Sequence, residues 1–264
     1  MAVQLNAELF VPSEACSPER AQRLVHALMA TGLAFERAPD VGGFYWSDVY
    51  DDVPNRAGPS LLREAFDAYE ESRDWAIEFE RPAAAGEDDL ELTLSMSPPH
   101  ANEQDELKIV HLSLPYMPNA TRGPTHFEEF AAITKLVAAV TDAWYGWAGS
   151  NLGLFNCSTV PIAPSAVAAL TPQEIEWLNI FGPPYRDAIG LDRLLTAPAW
   201  RTEFIANGGV AMTLGPEPAR VKQDVGRAVA AHLGVPVALP AEMAVRTAFK
   251  FGLRRGLGLP DDPR

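Results

Sequence analysis

Five histidines, two cysteines and thirty-five carboxylates are the side chains of this 264-residue chain that could carry acid–base, nucleophilic or metal chemistry. His26, His100, His111, His126 and His232 are scattered, and no HExxH places two imidazoles on one helix face for a zinc ion. Asp48, Asp51 and Asp52 resemble the start of an oxygen-ligand loop. In that frame, however, Val53 and Pro59 stand where a calcium loop needs its Gly and its Glu. Cys16 and Cys157 are far apart with no CxxC, and Cys157 has no neighbouring basic residue to stabilise a thiolate, so both read as small buried apolar residues. A GxSxG elbow, a GxxxxGK[ST] loop and a GxGxxG turn are all missing. The expectation is therefore no catalytic residue, no metal and no cofactor.

Recognition is better supported. Phe44-Tyr45-Trp46-Ser47-Asp48-Val49-Tyr50-Asp51-Asp52 interleaves aromatics with carboxylates between glycine and proline breakers. Tyr and Trp supply contact area at low entropic cost, and Asp supplies charge for an Arg or Lys opposite. Tyr45, Trp46, Asp48, Tyr50, Asp51 and Asp52 are the candidate partner-binding residues. The competing reading places Phe44 and Trp46 in the core of a short strand, with Asp51 and Asp52 capping a turn. Trp144, Tyr145 and Trp147 lie in uncharged surroundings and are expected to pack in the core.

Charge sharpens the choice of partner. The chain carries net -14, and residues 1–130 hold 24 acidic against 9 basic side chains, while the remainder holds 11 against 12. An acidic half argues against nucleic acid and anionic lipid and for a cationic protein partner, which its field would steer. Ala143 to Gln173 is uncharged, but Asn151, Asn156, Pro161 and Pro164 break it too often for a membrane helix. The N-terminus has no basic start followed by an apolar run, so a cytoplasmic protein, monomeric or homodimeric, is expected.

The elements that position these residues read as α+β: a mostly antiparallel sheet of short strands with helices packed on one side. A strand–helix–strand unit, βαβ-type, occurs at the start and again from Lys108 to Phe155. Leu5–Val11 is a strand; Ser17 caps and Pro18 opens a helix carrying Ala21, Leu24, Val25 and Leu28, which Gly32 ends. Ser60–Arg73 is a second helix. Alternation predicts strands at Trp75–Glu80, Leu90–Met96 and Leu107–Leu114, an antiparallel meander with one wet face. Thr125-His126-Phe127-Glu128 fits a capping box for a helix to Thr141. Beyond it, Ala143–Phe155 is extended. Thr171-Pro172-Gln173-Glu174 predicts a short helix through Trp177 and Ile180, stopped by Gly182-Pro183-Pro184. Gly190–Leu195 and Trp200–Ile205 read as helical turns, Val210–Leu214 as a strand and Glu217–Leu233 as a last helix. Residues 1–156 form the acidic core, and 157–264 a C-terminal extension packed on that same core, one compact domain.

Thr171-Pro172-Gln173-Glu174-Ile175-Glu176-Trp177-Leu178-Asn179, Phe181-Gly182-Pro183-Pro184-Tyr185 and Asn207-Gly208-Gly209-Val210-Ala211-Met212 resemble segments of bacterial immunity proteins. These are the antidotes paired with polymorphic or type VI secretion toxins. The resemblance implies a cytoplasmic protein that binds a cognate, basic toxin and neutralises it by occluding its active site, and it transfers no site residue. The competing classes are a general binding protein, and an enzyme or small-molecule binder whose site gathers dispersed carboxylates and histidines in a cleft.

Overall fold

In the computed structural model, residues 3–33, 44–48, 51–57, 75–81, 90–96, 107–116, 125–150, 164–170 and 175–235 are described. Their centre is the strand β1 (Val3–Pro12), whose alternation of Leu5, Ala7, Leu9 and Val11 with Asn6 and Glu8 puts one side chain in two into the core. On one flank β1 pairs antiparallel with β6 (Leu107–Tyr116), from Val3↔Tyr116 to Pro12↔Leu107. On the other it pairs antiparallel with β7 (Tyr145–Ser150). β6 and β7 thus run parallel to each other with β1 between them, joined through α2 (Thr125–Val140). The expected strand–helix–strand unit is a split βαβ. Its counterpart at the start continues into residues 34–37, outside the described residues.

Outward from β6 come β5 (Leu90–Met96), β4 (Trp75–Arg81), β2 (Phe44–Asp48) and β3 (Asp51–Ala57); outward from β7 come β8 (Leu178–Phe181), β10 (Val210–Thr213) and β9 (Arg201–Phe204). The result is a ten-stranded sheet in the order β3-β2-β4-β5-β6-β1-β7-β8-β10-β9. The architecture is α+β, with the expected meander at β4, β5 and β6. Strands from beyond residue 157 extend the sheet that β1 centres.

Helices α1 (Pro18–Met29) and α2 cover the face that carries Leu9, Ile180 and Ala211. The Lys135 ammonium of α2 reaches Glu203 at 2.7 Å, and Glu203 shares that face through its pairing with Ala211. At the β7–β8 end the second face is covered too. Phe10, Tyr145 and Phe181 stand in register there, and Tyr185 of α4 (Pro183–Ile189) lies over Tyr145 with ring centroids 5.1 Å apart. Short helices α3 (Pro164–Ala168) and α5 (Leu191–Leu195), and α6 (Gln223–Leu233), complete the described elements.

Several local expectations are corrected. The helix expected through Trp177 and Ile180 is the strand β8, all four of whose residues are buried. A short apolar run carries no period of its own, so its pairing with β7 and β10 decides. Pro183-Pro184 opens α4 instead of ending a helix, because proline at the first helical positions gives up only N–H groups that have no partner there. Trp200–Ile205 is not helical; it contains β9, which pairs with β10. The last helix starts at Gln223, six residues later than expected, after a 3-10 turn at Pro218–Arg220. Ser17 does sit at the N-cap of α1 with Pro18 following, but its hydroxyl caps no N–H. The helix expected over residues 60–73 lies outside the described residues.

Gly182 needs to be glycine for a reason of space. A Cβ there would collide with the Ala143 carbonyl, while its own N–H donates to Trp144 O at 2.9 Å. This close approach docks the start of α4 onto the connection between α2 and β7. Among the described residues no helix is long and apolar enough to cross a membrane.

Candidate functional site

Beyond α4, the second face of the sheet carries a groove. Cross-strand register sets Ser95 opposite His111, His111 opposite Glu8, and Glu8 opposite Trp147, a row over β5, β6, β1 and β7. One step along, Thr93, Ser113 and Asn6 form a second row. These residues line a groove of about 250 Å³. The pleat is the cause. Polar residues at every second position of three adjacent strands share one face, while their neighbours Leu94, Leu112 and Ala7 enter the core.

Within the groove, His111 Nδ1 lies 3.8 Å from Glu8 Oε1, with side chains 51% and 25% exposed, and the pair attracts as ions only when the imidazole is protonated. Trp147 at the groove's wall is 2% exposed, and its indole N–H has no hydrogen-bond partner among the described residues. Asn179, next along the row, is fully buried but satisfied. Its Nδ2 donates to Glu176 O at 2.7 Å, and its Oδ1 accepts from Glu176 N–H at 2.8 Å. The groove therefore offers a carboxylate, an imidazole, three hydroxyls and an amide to a polar partner. Ser95 makes no hydrogen bond to His111, so the nucleophile-to-base contact of a hydrolytic triad is not formed.

Of the partner-binding residues expected from sequence, Tyr45, Trp46 and Asp48 fall in β2, and Asp51 and Asp52 in β3. The register brings Asp48 opposite Asp51 at the mouth of the hairpin and Trp46 opposite Asn55. Tyr50 lies outside the described residues, as do the side chains of the other five. The hairpin forms one margin of the sheet, and β3 lies three strand spacings, about 14 Å, from β5 and the groove. Trp144 is half-buried, while Tyr145 and Trp147 are core residues, as expected.

Glu8 and His111 were not singled out from sequence, although Asn6/Glu8, Thr93/Ser95 and His111/Ser113 are each a polar pair two residues apart within an apolar strand. That signal was present. What it lacked was the strand order that places the three pairs side by side. Of the other histidines, His26 is exposed and the ring of His232 contacts Arg193 O at 2.9 Å, while His100 and the side chain of His126 lie outside the described residues. Cys16 is buried, and Cys157 lies outside the described residues. Among the described residues no group of three or more His, Cys, Asp or Glu could hold a metal ion.

No protein-family model matches the chain, and no curated protein matches it. Among solved structures, the fold is similar to that of the Pseudomonas aeruginosa T6SS protein PA0821, with a TM-score of 0.53 and 13% identity, covering 88% of this chain and 72% of that one. At this identity the likeness is one of fold.

Proposed function

We propose that this chain is an immunity-type protein of a secreted-toxin system. In this reading it binds a cognate, basic toxin in the cytoplasm and neutralises it by occluding the toxin's active site. The observation that carries this reading is the fold shared with a T6SS protein over 88% of the chain. Charge supports it. The excess of acidic residues is confined to residues 1–130, and that segment supplies the β2–β3 margin of the sheet. Toxins that act on nucleic acid or anionic membranes are commonly cationic, so such a margin would raise the association rate and imitate the charge of the substrate. Tyr45, Trp46, Asp48, Tyr50, Asp51 and Asp52 are the contact residues in this proposal, the aromatics slowing dissociation and the aspartates steering approach.

The experiment is capture on the tagged chain from the native host, elution with a salt step, and expression of the recovered protein in a test bacterium with and without this chain. A basic protein that is toxic alone and harmless in the presence of this chain supports the proposal. A recovered partner that is harmless alone, or equally toxic with this chain present, refutes it.

A second reading rests on the groove. A carboxylate, an imidazole and three hydroxyls line it, as in a site for a small polar ligand. Thermal-shift screening of polar metabolites against the chain and its His111→Ala variant separates the two. A ligand whose stabilisation is lost in the variant favours the groove.

A further inference from the structure

We propose that the β9 margin of the sheet is where two copies of this chain join, strand against strand, across a two-fold axis through Thr202. Among the described residues no strand pairs with the outer side of β9. Five large apolar side chains are exposed among those residues, and four of them cluster by position here: Leu191 and Leu195 of α5, Trp200 at 51% and Phe204 at 59%. An unpaired strand edge beside exposed aromatics is a template for strand addition.

The backbone fixes which residues could pair. Ile205 N–H donates to Gly209 O at 3.0 Å, and the β9–β10 register continues through Phe204↔Val210, Glu203↔Ala211, Thr202↔Met212 and Arg201↔Thr213. Hydrogen-bonded pairs alternate along an antiparallel ladder, so Glu203 and Arg201 turn their backbone groups toward β10. Trp200, Thr202 and Phe204 turn theirs outward, and an added strand must bond to those three.

A second copy of the same strand fits this requirement with its chemistry matched. With Thr202 opposite the second copy's Thr202, an outward N–H and C=O meet their equals. Trp200 then falls opposite the second copy's Phe204, and Arg201 opposite the second copy's Glu203. The strand reads aromatic, cation, threonine, anion, aromatic, so reversing it about its centre returns a complementary sequence. The charged pair occupies the non-hydrogen-bonded position, where facing Cα atoms are closest, about 4.5 Å apart. Arg201 is placed for it: its side chain is 55% exposed and lies 3.4 Å from Glu203 of its own chain, while Lys135 holds Glu203 at 2.7 Å.

The opposite margin of the sheet is unsuited to this. β3 carries Pro54 inside a register shift between Trp46 and Asp48, and proline and bulges are the devices that close a strand edge to pairing. Four aromatic side chains, two from each copy, would contribute most of the buried area. That places the interface near the lower limit of about 1,000 Å² for specific association and predicts a reversible dimer with a dissociation constant in the micromolar range.

Sedimentation velocity on the purified chain, from about 1 to 100 µM, tests this without any toxin. The expected result is a rise from the 28.7 kDa chain toward twice that mass. Thr202→Pro removes an outward N–H and leaves the β10 ladder intact, so it is expected to weaken dimerisation at least about tenfold with an unchanged circular dichroism spectrum. Arg201→Glu and Glu203→Arg put like charges opposite each other in their own homodimers. Each is expected to be monomeric, and an equimolar mixture of the two to recover a dimer, because both facing pairs of the mixed dimer then join a carboxylate to a guanidinium. A chain that is monomeric throughout overturns the proposal, even if β9 amides become protected when a toxin binds. So does a dimer that Thr202→Pro leaves intact. Neither outcome bears on toxin neutralisation.

Discussion

The two margins of one sheet solve the problem of an unpaired edge in opposite ways. At β3 the chain spends a proline and a register shift on it, within a segment dense in aspartate. At β9 the edge has neither device, and aromatic side chains stand exposed beside it. The strands behind the margins differ as well. Those next to β9 are covered on both faces, by α2 on one and by Tyr185 on the other, whereas β5, β6 and β1 are covered on one face and open to the groove on the other. A doubly covered end can keep an unpaired edge without losing its fold. An end that must be wet on one side needs its edge closed by local chemistry. In this protein the acidic end is read as the surface for another protein, and the aromatic end as the surface for a second copy.

The largest expected effect tests the doubly covered end. Tyr145→Ala removes a ring packed against Phe10, Phe181 and Tyr185 at 5.1–6.2 Å and leaves a cavity between two layers. Equilibrium denaturation in urea should show a loss of about 3–5 kcal/mol. A loss below about 1 kcal/mol would mean that α4 only rests on the sheet, and the contrast between the two ends would fail.

A smaller effect is expected one step along the same strands, where Asn179 closes two hydrogen bonds with the Glu176 backbone in a fully buried position. Asn179→Ala removes both of these bonds from a buried site and should cost about 1–3 kcal/mol. Glu176→Ala makes a control, since the bonds use only the main chain of that residue and should persist; hydrogen exchange at the Glu176 amide distinguishes the two variants.

The central architecture was legible from sequence because each of its strands has its own period. β1, β5 and β6 alternate over seven to ten residues, and α1 repeats its apolar residues at helical spacing and opens with Pro18. The C-terminal part was legible only at α5, Val210–Thr213 and α6. β8 and β9 are four residues each: the first is buried on both faces and the second is an edge, so neither alternates between core and water. Trp177 illustrates the difficulty. Its indole N–H donates to Gly215 O at 2.7 Å, 38 residues away, and no local pattern foretells such a bond. The groove was illegible for a different reason. Its polar residues follow the period, but their meeting depends on β1 lying between β6 and β7, an order that the sequence does not state.

At the acidic margin the effect is kinetic. Asp51→Lys combined with Asp52→Lys exchanges two negative charges for two positive ones at the start of β3. With the toxin in hand, stopped-flow association should slow by about tenfold at low salt, with a shallower salt dependence and little change in the dissociation rate. An unchanged association rate would move the steering surface off this hairpin, to the open groove or to the acidic clusters beyond the described residues.

The smallest expected effect separates those alternatives. Glu8 and His111 sit 3.8 Å apart on an open face, and a pair so exposed contributes little to folding. Glu8→Gln and His111→Ala should each leave stability within about 0.5 kcal/mol of the parent in urea. Two substitutions that leave the fold alone are clean probes of recognition. If either weakens toxin binding tenfold while the lysine pair at β3 does not, the open face is the contact surface and the β3 margin is merely a closed edge. If neither does, the groove is solvated sheet, and the division of labour between the two margins stands.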